Sequence, residues 1–330
     1  MKIKKSQPDG NMIRLLAILA AFIFIAGITK PALFMQLGNF QSIGKQLAEY
    51  GLMALGIGVC MISGGIDLSA VYIANLCGIS AGLLMQKMIP AGGSNPGAMF
   101  LSIAAAIVIG ALCGAFNGFL VSKLNIPAML ATLGTYQLYM GIAVVITNGS
   151  TVSGLPSAYT ALGTALVAKV PLAFLIFLLA VLILSFIMQK TIFGTRVYLV
   201  GTNPKSARFS GIRNSSILIR TYMISGIVAA IAGLVSLARI NSAKADFGSS
   251  YTMQCILIVV LGGVNPNGGF GKISGVAVAV VILQVLSSYL NMFPDISNYF
   301  RDLIWGVALI AVLIINHVIA KRRIAKLDSV

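Results

Sequence analysis

Acidic residues are scarce in this sequence: 7 Asp and Glu stand against 23 Lys and Arg in 330 residues, and charged residues of both signs make up only 9%. With 58% hydrophobic residues and a mean hydropathy of +0.97, so little charge excludes a soluble globular domain. Histidine is nearly missing too. His317 is the only one, there is no His-Glu-x-x-His run, and it lies in the last apolar segment far from any candidate nucleophile, so an intramembrane enzyme has no catalytic set to work with. The four cysteines, Cys60, Cys77, Cys113 and Cys255, all fall in apolar segments without metal-type spacing. They read as buried thiols rather than a disulfide framework or a metal site. Of the acids, only Glu49 and Asp67 are candidates for membrane depth, and both can sit near helix ends. That weakens an ion- or proton-driven transporter or a channel, which nevertheless stays as the alternative reading. The formal charge of +16 does not point to nucleic acid, because the basic residues lie between apolar runs, where retention of positive charge on the cytoplasmic side explains them.

What the sequence has in abundance is apolar runs of membrane-spanning length. They predict helices over Ile13–Thr29, Gln46–Ser63, Leu68–Lys87, Ala98–Val121, Ile126–Thr147, Pro171–Gln189, Ile217–Arg239, Tyr251–Gly263, Ile273–Leu290 and Asp302–Ala320. The expected fold is an all-α polytopic membrane protein of about ten transmembrane helices (8–10), forming one domain over residues 1–330. The Tyr251 segment is too short to span and is expected to be re-entrant or glycine-broken. No Ala-x-Ala-like site follows the first run, so it reads as a retained helix rather than a removed signal. Starting inside, only Lys30, Lys45, Lys87, Lys169, Arg239, Lys244 and Arg301 of the 23 basic residues fall outside, which predicts both termini in the cytoplasm.

A polar, basic island interrupts the apolar pattern at residues 201–212, which the charge balance places on the cytoplasmic side. Asn203 suits an N-cap, Pro204 the first helical position and Gly211 the left-handed residue that ends a helix, predicting a helix of about two turns. So short a helix is marginal in water unless something holds it, and a docking partner is the natural candidate. A surface loop with fortuitous caps is the competing reading.

Other landmarks are mostly architectural. In Ser63-Gly-Gly-Ile-Asp-Leu-Ser69, Gly64 and Gly65 can end one helix and Asp67 can cap the next, accepting from amides near Ser69 and Ala70. This reading is preferred over an ion site, because a carboxylate at the centre of a membrane helix costs roughly 2.5–3.5 kcal/mol. Gly110, Gly114 and Gly118 recur every four residues and predict a close packing face. Asn117 beside them can hydrogen-bond across helices or line a pore. Thr132, Thr135, Tyr136 and Tyr139 put a mildly polar stripe on one helix, with Pro127 in its first turn. The longest outer loop spans roughly 148–170 and is a candidate for contact with a delivery protein or a plain connection. The glycine-rich stretch 261–275 fails as a phosphate loop, since Pro266 stands where the first glycine is needed and Ile273 follows Lys272. A break between half-helices fits better. A faint internal echo pairs Gly64-Gly-Ile-Asp67 with Gly262-Gly-Val-Asn265.

Four motifs in order carry a resemblance: Ser63-Gly-Gly-Ile-Asp-Leu-Ser69; Phe116-Asn-Gly-Phe-Leu120 followed by Ile126-Pro-Ala-Met-Leu-Ala-Thr-Leu-Gly134; Gly201-x-Asn203 with Ala207-Arg-x-Ser-Gly-Ile212; and Leu261-Gly-Gly263 with Gly268-Gly269. From about Gln46 to the last helix the chain resembles the permease subunits of bacterial ABC importers for monosaccharides, the family of ribose, xylose, galactoside and autoinducer-2 permeases. It departs from the family pattern at Ala70-Val71, where a Val-Gly pair is usual. The resemblance implies a multi-pass protein of the bacterial inner membrane, paired with a second permease copy, identical or a sister. Its partners would be cytoplasmic ABC ATPase subunits, which carry the ATP and Mg, and an extracytoplasmic sugar-binding protein; this chain would bind no cofactor or metal of its own. Asn203, Pro204, Lys205, Ala207, Arg208, Ser210 and Gly211 would form the coupling helix seated on the ATPase, and Arg208 would touch it. Asn117, Thr132, Thr135 and Tyr136 are the candidates for the solute pathway. Gly64, Gly65, Asp67, Gly262 and Gly263 are structural.

Overall fold

The computed structural model describes residues 10–90 and 93–293, with 303–304, 306–307 and 310. The expected helix Asp302–Ala320 with Trp305, the tail Lys321–Arg323 and the N-terminal lysines therefore lie wholly or largely outside the described residues. The helices are α1 (Gly10–Thr29), α2 (Pro31–Phe34), α3 (Leu37–Ile62), α4 (Ala70–Met88), α5 (Pro96–Ser122), α6 (Ala128–Thr147), α7 (Ser157–Thr164), α8 (Leu172–Lys190), α9 (Ile192–Thr202), α10 (Pro204–Phe209), α11 (Asn214–Ile240), α12 (Tyr251–Leu261) and α13 (Ile273–Leu290). Strand structure among the described residues is limited to two ribbons of two-residue strands. The protein is an all-α, multi-pass membrane protein.

Among the described residues six helices, α1, α5, α6, α8, α11 and α13, are long and apolar enough to cross a membrane. The central ones are not the most apolar. Every residue of α3 from Leu47 to Ile62 is buried, a length of about 24 Å, so this helix is enclosed through most of the roughly 30 Å of a hydrocarbon core. Helices that meet other helices instead of lipid can carry polar groups if each finds a partner. Glu49 of α3 pairs with Arg239 at the end of α11, Tyr50 donates to Gln284 of α13, and Asn75 of α4 donates to the carbonyls of Ala245 and Phe247. The peripheral helices show the opposite character, with Phe100, Leu112, Leu182 and Phe186 exposed on α5 and α8.

The glycine row of α5 is a packing face. A Cβ on Gly110 would lie 2.5 Å from the Gly226 carbonyl oxygen, one on Gly114 2.2 Å from that of Tyr222, and one on Gly118 2.5 Å from the Ile219 Cα. The α5 and α11 backbones thus touch along a little over two turns, the close approach that small residues permit in a membrane.

Several boundaries differ from the expectation. Helix α3 begins at Leu37, nine residues before Gln46. Pro127 stands at the N-cap of α6 rather than in its first turn. Helix α9 lies where no helix was expected, because Ile192–Thr202 is too mixed and short to register as an apolar run. The segment 148–170 is more than a connection. It contains α7, docked on α11 by the Tyr159 hydroxyl, which donates to the Leu234 carbonyl at 2.8 Å, and by Gly163, whose Cα lies against the Ala238 backbone. As expected for a segment too short to span, α12 is 11 residues long.

Candidate functional site

Helix α10 is built by its ends. Asn203 accepts a hydrogen bond from the Ser206 amide at 3.0 Å and Pro204 occupies the first helical position. At the other end the Ile212 amide donates to Ala207 and the Gly211 amide to Arg208, with Gly211 at φ +79°, a Schellman C-cap. Ser210 adds a bond to the Ser206 carbonyl. Only Ala207 of this helix is buried; Lys205, Arg208 and Phe209 project outward. Phe209 is 92% exposed, a large aromatic surface that nothing among the described residues covers. Sequence reasoning selected Arg208 and passed over Phe209, although an aromatic in a short, otherwise polar helix was the available signal.

The base of this projection is a cluster of backbone contacts. Gly201, the next-to-last residue of α9, sits so close to the end of α3 that a Cβ would lie 2.0 Å from the Ile62 carbonyl oxygen and 2.7 Å from the Gly269 amide nitrogen. No side chain fits there. Gly269 itself donates to Ile62 at 2.9 Å, and a Cβ on Gly268 would meet the Gly64 Cα at 2.6 Å. The α10 projection therefore rests on the two places where the interior helices break, after α3 and after α12. The Gly268 and Gly269 amides of the glycine loop are taken by the chain itself, donating to the Asn265 and Ile62 carbonyls.

Both breaks use the same device. Helix α3 ends with Gly64 at φ +89° and α12 with Gly263 at φ +89°. Each is followed by a return bond, from Gly65 to Cys60 and from Val264 to Val259. The structure corrects the register of the sequence echo by one residue. Gly64 corresponds to Gly263, not Gly262, because the left-handed position decides the match.

Beyond the first break, Asp67 is fully buried. Its Oδ1 accepts from the Ser69 amide at 3.1 Å and the Ser69 hydroxyl at 2.7 Å, and its Oδ2 from the Ser225 hydroxyl of α11 at 2.9 Å. The expected bond to Ala70 is not among these. Asp67 closes a turn onto Ser69 and crosses to α11. Asn117 donates to the Ser69 hydroxyl at 2.7 Å and accepts from Tyr139 at 3.1 Å. Thr132 donates to the Ile66 carbonyl at 2.9 Å. Of the four residues considered for a pathway, Asn117, Thr132 and Thr135 are buried, the first two bonded to residues of this break and Thr135 to the Thr132 carbonyl of its own helix, whereas Tyr136 is half-buried and edge-on to Tyr72, with ring centroids 4.2 Å apart. Among the described residues no group of three His, Cys, Asp or Glu gathers to hold a metal.

A family model described as the permease component of branched-chain amino acid transport systems matches residues 40–313. The chain belongs to this permease family. Its relatives include the ribose import permease protein of Bacillus subtilis, 33% identical over 316 residues, 94% of this chain and 95% of the relative. The autoinducer 2 import system permease protein LsrC of Yersinia enterocolitica is 34% identical over 304 residues, 92% of this chain and 81% of the relative. The corresponding LsrD protein of Escherichia coli K12 is 33% identical over 270 residues, 80% of this chain and 79% of the relative. No solved structure matches. As an ABC importer permease, the protein is a multi-pass component of the inner membrane.

Proposed function

We propose that this permease carries a monosaccharide or sugar-like solute inward across the cytoplasmic membrane, driven by separate ATPase subunits. The observation that carries this reading is the near full-length similarity to proteins named for ribose and autoinducer 2 import. The family model alone leaves amino acids open, and these relatives favour the sugar side.

The finer arrangement follows from the same reading. Both termini lie in the cytoplasm, about ten segments cross or enter the membrane, and residues 201–212 face inward. Residues Asn203 to Gly211 form the coupling helix, with Phe209 as apolar anchor and Lys205 and Arg208 supplying charge to a groove of the ATPase. Exposed aromatic and arginine side chains dominate such contacts. A second permease copy, identical or a sister, completes the pathway, and an extracytoplasmic binding protein delivers solute. Among the pathway candidates Tyr136 is proposed to meet solute, supported by its partial exposure, while Asn117 and Thr132 hold the break in shape and the buried Thr135 bonds within its own helix. ATP-driven closure would shift the two permeases between inward- and outward-open packings, by no more than the difference in contacts between those states.

The test is to recover the tagged permease with its co-purifying subunits from its own cells, identify them by mass spectrometry, and reconstitute the complex in liposomes. An ATPase and a periplasmic-type binding protein, with ATP-dependent uptake of ribose and none of leucine, would support the reading. Uptake of leucine would move the cargo to amino acids, and ATP-independent flux by the chain alone would make it a secondary transporter.

A further inference from the structure

Beside α10, between the end of α5 and the start of α11, lies a cleft of about 920 Å³ lined by Lys123, Arg208, Arg213 and Arg220 with Ser122 and Ser215. The four cations are exposed. Nothing in the described chain neutralises them: its three carboxylates are Glu49, Asp67 and Asp246, and these are bound to Arg239, to serines and to Lys244. The Ser122 hydroxyl is buried and has no hydrogen-bond partner, and the start of α11 adds the partial positive charge of a helix N-terminus. Among the described residues the cleft is therefore short of an anion.

Its surroundings narrow the kind of anion. Lys123 follows Phe116 and Phe119 along one face of α5, at the three- and four-residue steps of a helix, and all three are exposed. Leu124, Met129 and Leu130 extend this exposed apolar surface across the α5–α6 link. Arg213, Ser216 and Arg220 likewise share a face of α11. A free phosphate would use only the cations. A molecule with an anionic head and an apolar tail would use both the cations and the adjoining strip.

We propose that this cleft is a binding site for the phosphate headgroup of an anionic membrane phospholipid, seated where α10 joins the membrane body. Basic pockets between helices at the membrane surface recognise such headgroups. The proposal needs the chain to sit in a membrane, as the permease reading has it, and is independent of the cargo. Phosphatidylglycerol bound there would tie the ends of α5 and α11 together beside the coupling helix.

Native mass spectrometry of the purified full-length permease tests this, with phosphatidylglycerol or phosphatidylcholine added in detergent. The protein is expected to hold phosphatidylglycerol about tenfold more tightly than phosphatidylcholine. K123Q/R213Q/R220Q, with Arg208 left intact, is expected to remove that preference while staying monodisperse; if it aggregates, Arg220→Gln alone should reduce the preference severalfold. On the unmodified protein, raising the salt about tenfold should erode the preference, as screening demands. No headgroup preference, a preference unchanged in the variants or in salt, or displacement of the lipid by millimolar inorganic phosphate would each overturn the proposal, the last by making the cleft a simple phosphate site. Loss of ATPase attachment in a variant that keeps its lipid would assign the cleft to the ATPase instead.

Discussion

Ser225 and Asp67 lie 158 residues apart in the chain and are joined by a hydrogen bond of 2.9 Å in a fully buried site. Through it the break after α3 is fastened to α11, and through Ser69 and Asn117 the same carboxylate reaches α5 and, by way of Tyr139, α6.

Replacing Asp67 with Ala strands the Ser69 and Ser225 donors, at roughly 1–3 kcal/mol for each buried group left unpaired. The thermal midpoint of the detergent-solubilised variant should fall clearly below that of the parent, and Asp67→Asn, which keeps one acceptor, should fall less. A midpoint unchanged in Asp67→Ala would mean the network contributes nothing to stability.

Two glycines near α10 are needed for different reasons, and substitution separates them. A Cβ at Gly201 meets the Ile62 carbonyl oxygen at 2.0 Å, whereas at Gly211 it meets nothing within 4 Å but must sit at φ +79°. Gly201→Ala is expected to lower stability through steric overlap. Gly211→Ala should cost about 1–2 kcal/mol from the left-handed backbone conformation alone, and Gly211→Val more, since β-branched residues tolerate φ > 0 poorly. Melting curves for the three variants check the order; equal effects of Ala and Val at Gly211 would argue against the cap.

Phe209→Ala and Arg208→Glu should leave the permease folded, with an unchanged melting midpoint, because both side chains are exposed. ATPase attachment should weaken about tenfold or more in each, as loss of a central anchor or reversal of a contacted charge does. Co-purification at matched expression measures it, and unaltered attachment in both would remove α10 from the interface.

Glu49 and Arg239 form an ion pair whose acid is almost wholly buried. Removing Arg239 alone leaves an uncompensated buried charge, at about 3–5 kcal/mol. Arg239→Met should therefore destabilise the protein strongly, and adding Glu49→Leu should recover much of the loss. A double variant worse than the single one would show that the site needs the pair for more than mutual neutralisation.

What was legible in the sequence was local. The caps of α10 read directly, because Asn203, Pro204 and Gly211 act within four residues of their partners. The spanning helices read from their apolar runs, and the glycine row of α5 read as a packing face from its four-residue spacing. Long-range pairings were not legible. Nothing around Asp67 announces Ser225, and nothing at Glu49 announces Arg239. Helix α3 was read short because its first stretch, 37–45, is mixed enough to resemble a loop, and it stays largely exposed until Ile43 and Gly44. The echo of the two breaks was visible as letters but misaligned by one residue, since only the backbone dihedral tells which glycine turns the chain.

The seat of Gly201 on Ile62 and Gly269 has a mechanical consequence. Close-packed interiors have low compressibility and transmit strain, and direct backbone contact leaves no rotamer to change first. Here no side chain intervenes, and a push on α10 of even a fraction of an ångström meets peptide groups already in contact. The joint is stiff, so displacement at this end is delivered to both interior helix breaks together and with little loss.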